Sequence, residues 1–304
     1  MTTGPTPGRG LPERDAGLPQ VRDRTGPSDL DTVDPGAAEP PPEPGRRQVP
    51  GVVLSGAVLV VVLVAWQVLV RVLDVPIVLV PAPTDVVTSL VAGLGDGTLI
   101  EHAWVTLQEI LLGFGLAVVA ALLCAFLVTQ SRVLDKALFP LIVMTQTIPK
   151  VAMAPLLVIW FGTEMTSKVL TTALIAFFPL LINAILGLRS ADPDQVDMLR
   201  SFGASRLDVL RRLQIPSALP HIFAGLDVAV VLSVTGAIVA EFVGATAGLG
   251  YVIQATNFTL DVSRTFAVLV ILSAIGLALH AIVVLCNRKI VFWSAEHRTV
   301  TEQA

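Results

Sequence analysis

WVTLQEILLGFGLAVVAALLCAFLVT, residues 104–129, contains a single acidic or basic residue, Glu109. About 20 mostly apolar residues are enough for a helix to cross the hydrocarbon core of a bilayer. A helix on the surface of a soluble core would show a polar stripe at the helical period, and this run shows none. The stretch therefore reads as a membrane span. Working outward from it, five more runs read the same way: 51–73, 137–161, 168–188, 222–245 and 265–287. Only 14% of the 304 residues are charged, against roughly a quarter in soluble domains. The mean hydropathy of +0.77 likewise excludes an ordinary soluble enzyme, and nothing in the sequence suggests a nucleic-acid partner. The expected fold class is an all-α membrane protein of about six transmembrane helices.

Residues 1–50 differ in kind. They are rich in Pro, Gly, Asp and Arg, as in DPGAAEPPPEPGRR (34–47), and such a segment lacks the apolar surface that offsets ordering entropy. A Pro/Gly-rich cytoplasmic tail over 1–50 is expected, then a first transmembrane helix over 51–80, a transmembrane domain over 81–290 and a C-terminal tail over 291–304. No signal-peptide h-region is visible near the start. Lys and Arg in short loops set orientation. With the tail inside, Arg132, Lys136, Arg189, Arg200, Arg206, Arg211, Arg212, Arg288 and Lys289 also fall inside, and Arg71, Lys168 and Arg264 fall outside. Both termini are thus expected in the cytoplasm. Cys124 and Cys286 lie in apolar runs and read as buried, inert thiols, and the four histidines show no ligand spacing. After the first span, VPAPTDV (80–86) reads as a bend followed by a short helix capped by Thr84.

One loop stands out. RSADPDQVDMLRSFGASRLDVLRRLQIPSALP, residues 189–220, is charged and lies between the fourth and fifth spans. Asp192 followed by Pro193 is a helix start, and Val196, Leu199 and Phe202 share one face. Gly203 reads as a left-handed terminator. Ser205 and Asp208 have capping-box spacing and open a second helix, along which Leu207, Leu210 and Leu213 recur. Pro216 is expected to end it. Two short amphipathic helices result, and neither is stable alone in water. Either the membrane surface or a soluble partner with an apolar groove would hold them.

The loop resembles the EAA loop of ABC-importer permeases. Gly203 takes the place of that loop's glycine, Leu213, Ile215 and Pro216 take its later element, and Asp197-Met198-Leu199 stand where Glu-Ala-Ala would be. VPAPTDV (80–86), TIPKVAMAPLLVIWFG (147–162), SFGASR (201–206) and GAIVAEFVGATAGLGY (236–251) are similar to the branch serving nitrate, sulfonate, taurine and vitamin precursors. The resemblance implies a permease dimer in a bacterial inner membrane, seated on cytoplasmic ABC ATPase subunits and supplied by an extracytoplasmic substrate-binding protein. It implies that Asp197, Gly203, Ala204, Ser205, Arg206, Leu213, Ile215 and Pro216 form the ATPase-coupling segment. The chain has no P-loop pattern, so no cofactor is expected on it, ATP being used by the partner, and no catalytic or metal-binding residue is expected.

Ionisable groups at membrane depth are costly and need a reason. Glu109, Lys150 and Glu241 are the candidates, and Gln146 lies near Lys150 in a proline-broken stretch. Gln146, Lys150 and Glu241 could line a translocation pathway, or Lys150 could pair with Glu241 or Glu109 and merely join helices. TAGLGYVIQATNF (246–258) reads either as an outer gate or binding-protein contact or as an ordinary loop. The functional alternative to an ATP-driven importer is a transporter driven by an ion gradient, for which internal repeats with matching broken helices would be expected. None is evident.

Overall fold

In a computed structural model, the described residues are Gly4, 51–130 and 132–293. The expected 1–50 tail, Gly4 apart, and the C-terminal tail beyond residue 293 lie outside them. The packing described below lies within the unit that begins at Ser55. The described residues are helical, with no strand among them. The helices are α1 (Gly51–Val72), α2 (Pro83–Gly95), α3 (Thr98–Gln130), α4 (Arg132–Thr145), α5 (Ala154–Phe161), α6 (Met165–Arg189), α7 (Pro193–Ser201), α8 (Arg206–Val209), α9 (Ile215–Phe242), α10 (Leu249–Thr259) and α11 (Val262–Ile290).

Four helical stretches are long and apolar enough to cross a membrane: Thr98–Gln130, Met165–Arg189, Arg206–Phe242 and Val262–Ile290. They cover four of the expected spans. The 137–161 run is not one straight helix. It bends by 85° between Lys136–Thr145 and Lys150–Phe161. Pro149 falls at the break and caps the 3-10 turn Lys150–Met153, which leads into α5 with Pro155 in its first turn. Proline removes the ladder donor and clashes with the preceding turn, which is the physical cause of the bend. The first expected span is apolar over Gly56–Val72.

The centre of the bundle is α6, packed between α3 and α9. Small residues allow it. On α3, Gly113, Ala117, Ala121 and Ala125 recur every fourth position and are all buried. A Cβ on Gly113 would stand 2.5 Å from Thr172, one on Gly225 2.7 Å from Asn183, one on Gly187 2.8 Å from the Ala218 carbonyl oxygen, and one on Gly236 2.9 Å from the Thr172 Cα. Between helices in lipid the hydrophobic effect does not drive association, so close backbone approach and dispersion must do it. Leu180, Ile185 and Leu188 of α6 fill the space between these contacts with Val128 and Leu210.

Two local expectations change. Ala82, not Thr84, caps α2, because Pro83 occupies the first helical position and Asp85 reaches back to accept the Ala82 N–H at 3.3 Å. Thr84 instead accepts from Gln67 and Arg71 of α1, and Arg71 pairs with Asp85 at 3.1 Å. Cys124 is half-buried and Cys286 exposed on α11 rather than both being buried, since an apolar face at membrane depth need not turn into the protein.

Candidate functional site

The 192–216 loop is built largely as its residues dictate. Asp192 accepts the Asp194 N–H at 2.9 Å and Pro193 opens α7. At the other end the Ala204 N–H donates to the Leu199 carbonyl at 3.1 Å and the Gly203 N–H to that of Arg200 at 2.9 Å. This pair of bonds is a Schellman closure. It places Gly203 at φ +82°, with open space where a Cβ would be. Asp197 lies on the exposed side of α7, 3.5 Å from Arg200. Ser205 then caps α8: its hydroxyl accepts the Asp208 N–H at 3.2 Å, and Asp208 accepts the Ser205 N–H at 3.1 Å. Met198, Phe202 and Leu207 are exposed around the glycine, Phe202 to 81%. Val209 and Leu210 turn inward.

The second helix does not stop at Pro216. Leu210–Gln214 is a π turn, in which the Ile215 N–H donates to the Leu210 carbonyl, and α9 follows directly. Proline is tolerated because the widened turn shifts the bonding register just where its missing N–H falls. Residues 206–242 are thus one helix of 37 residues. Of the two expected coupling helices, α7 is free-standing and the other is the beginning of the fifth span.

A second polar group lies at the opposite end of the bundle. Lys168 of α6 lies 3.0 Å from Glu109 of α3, and both are buried. The carboxyl of Glu241 adjoins that of Glu109. Glu241 is fully buried, accepts the Thr106 hydroxyl at 2.6 Å and accepts the Gly250 N–H. Thr106 Oγ1 accepts the Leu249 N–H at 2.7 Å, and His102 Nδ1 accepts the Gly248 N–H at 3.1 Å. Outside the spans, Thr98 donates to Asp96 through both its side chain and backbone, which holds that carboxyl below the usual range.

The sequence pattern that defines binding-protein-dependent transport system inner membrane components matches residues 113–292. This range covers the loop, α9, α10 and α11. The chain belongs to that family. It is a multi-pass inner-membrane permease component of a transport system and not an enzyme. This permease is 38% identical to a riboflavin transport system permease protein of Chloroflexus aurantiacus, over 78% of this chain and 88% of that one. It is 29% identical to a putative aliphatic sulfonates transport permease protein of Bacillus subtilis, over 83% and 91% of the two chains. The inward-facing structure of a methionine ABC transporter shares the fold, with a TM-score of 0.52 at 18% identity over 64% of this permease and 96% of that chain.

The three residues expected along the pathway are not brought to one place in the permease. Gln146 is exposed beside the break after α4. Lys150 Nζ lies 5.1 Å from the Phe178 ring centroid, a cation–π contact. Glu241 sits in the closed group described above. The alternative in which Lys150 pairs with Glu241 or Glu109 is not what the structure shows, since the lysine against Glu109 is Lys168. Lys168, which the charge count puts on the outer side, lies in the first turn of α6 and is buried there. Asp227 of α9 and His280 of α11 also form a pair, at 2.5 Å. Neither pairing has a signal in the sequence, because the helices that supply the partners are far apart along the chain.

Proposed function

We propose that this permease is the membrane subunit of an ATP-driven importer for a small polar nutrient, moved by partner ATPases acting on the 192–216 loop. The observation that carries the reading is the loop itself. A rigidly closed turn about Gly203 displays Met198, Phe202 and Leu207 to the exterior, and an apolar helix face of this kind suits a groove in a protein partner. Asp197, Gly203, Ala204, Ser205 and Arg206 then form the contact. Leu213, Ile215 and Pro216 link it to the fifth span. ATP is bound and hydrolysed by the partner, the substrate arrives from an extracytoplasmic binding protein, and the permease works as a homodimer with both termini in the cytoplasm. Gln146 and Lys150, at the broken helix, flank a polar path where freed carbonyls face water.

For the substrate, similarity to the riboflavin system at 38% exceeds that to the sulfonate system at 29%. A vitamin or vitamin-precursor heterocycle is therefore placed ahead of a sulfonate. The test is uptake of labelled riboflavin and of labelled taurine by cells with and without the permease. Permease-dependent uptake that survives collapse of ion gradients while ATP is maintained, and is lost in Gly203→Val, is the expected result. Uptake that follows the ion gradient and ignores ATP would assign the chain to gradient-driven transport.

A further inference from the structure

We propose that Glu241 is a positioning residue that ties α10 to the far end of the 206–242 helix, so that a displacement of the 192–216 loop is delivered to α10 at the opposite end of the bundle. The inference deepens the importer reading and rests on it for the source of the displacement.

The starting point is continuity. The helix capped by Ser205 runs without a break to Phe242, and 37 residues at 1.5 Å each make a rod of about 55 Å. Its first turn belongs to the loop, and Glu241 is in its last.

The first N–H groups of a helix have no partner within it. In α10 three successive backbone donors at this end are taken by side chains from other helices: Gly248 by His102, Leu249 by Thr106 and Gly250 by Glu241. The Thr106 hydroxyl itself donates to Glu241, so α3, α9 and α10 share one network. Two glycines make this approach possible. A Cβ on Gly248 would fall on the Glu241 carboxylate, and one on Gly250 would stand 2.8 Å from Glu241 Oε2 and 3.1 Å from the Ile238 carbonyl oxygen. Gln254 adds a second tie, donating to the Phe242 carbonyl at 2.7 Å.

A neutral cap would satisfy the same donors. What a carboxylate adds is a penalty for separation. Glu241 is fully buried beside Glu109, and the ammonium in contact with the group is that of Lys168. The positive end of α10 faces the Glu241 carboxyl through the Gly250 N–H. Were α10 to lift away while α9 stayed, Glu241 would keep its burial and lose these partners, the costly way to break a buried charge contact. A displacement of α9 therefore carries α10 with it, against the bonds from α10 to His102 and Thr106 of α3 and its Thr256–Thr265 contact with α11 at 2.7 Å.

The test uses the full chain, affinity-tagged in its own host, purified from the membrane with the ATPase it retains and placed in lipid nanodiscs. Backbone amide exchange is followed at 206–214 and at 249–259, without nucleotide and with ATP plus vanadate. In the wild type, nucleotide is expected to change exchange in both segments. In Glu241→Gln, and separately in Gly250→Ala, the 206–214 segment is expected still to respond. In both variants 249–259 is expected to exchange about tenfold faster and to ignore nucleotide. A purely structural cap would leave the 249–259 response to nucleotide in place, so variants that retain it overturn the proposal, as does exchange in 249–259 within twofold of wild type. Gly250→Ala keeps the charge and serves if Glu241→Gln fails to accumulate. A wild type that retains no ATPase and shows no nucleotide effect anywhere counts against the importer reading instead. The nucleotide-free comparison of the variants then still decides whether Glu241 holds α10.

Discussion

Lys168 and Gly203 each answer to a different kind of constraint. Lys168 meets Glu109 at 3.0 Å, with side-chain exposures of 10% and 0%, so removing its charge leaves an acid buried with its counter-ion gone. Leaving a buried carboxyl without its partner costs about 1–3 kcal/mol. Lys168→Met is therefore expected to lower the thermal midpoint of the purified protein by several degrees, whereas Lys150→Met, which removes only a cation–π contact to Phe178, is expected to shift it by far less. A differential scanning fluorimetry comparison of the two checks this. Gly203 is constrained by its φ of +82° rather than by crowding. A side chain there costs about 1–2 kcal/mol of backbone strain, enough to open the Schellman closure of an exposed nine-residue helix. Gly203→Val is expected to leave membrane insertion intact and to reduce uptake at least about tenfold.

At the scale of elements, the contacts between α6 and α9 are set by glycine. Gly236→Leu would drive a side chain into the Thr172 backbone, where a Cβ alone already stands at 2.9 Å. Overpacking of this kind costs about 1–3 kcal/mol or more, and the expected outcome is a lowered thermal midpoint with helical content by circular dichroism nearly unchanged. Gly276→Leu on α11, where a Cβ would have nothing closer than 3.8 Å, is the control and is expected to be mild. Element ends were legible where they carry chemistry. Asp192-Pro193, Gly203 and the Ser205–Asp208 box each imposed the geometry their side chains specify. The continuation past Pro216 was not legible, because a π turn is a property of backbone register and has no side-chain signature. Nor was the rotation of each span: runs that are apolar on every side give no period from which to tell the face of α3 bearing Gly113 and Ala117 from the face turned to lipid.

For the whole molecule, four of the six expected spans were readable as long apolar runs, and the family from short motifs spread over most of the chain. The polar group at Glu109, Lys168 and Glu241 was not, since it joins α3, α6 and α9 through contacts that only the folded bundle creates. The 206–242 helix runs from the exposed loop at one end to α10 at the other. What acts on that loop is the point on which the importer reading turns. A photo-crosslinking amino acid placed at Phe202, which is 81% exposed, and irradiated in native membranes addresses it directly. The expected product is a discrete adduct that contains an ATP-binding subunit and is absent or strongly reduced in the Gly203→Val background. Adducts to lipid alone, unchanged by Gly203→Val, would contradict coupling through this loop.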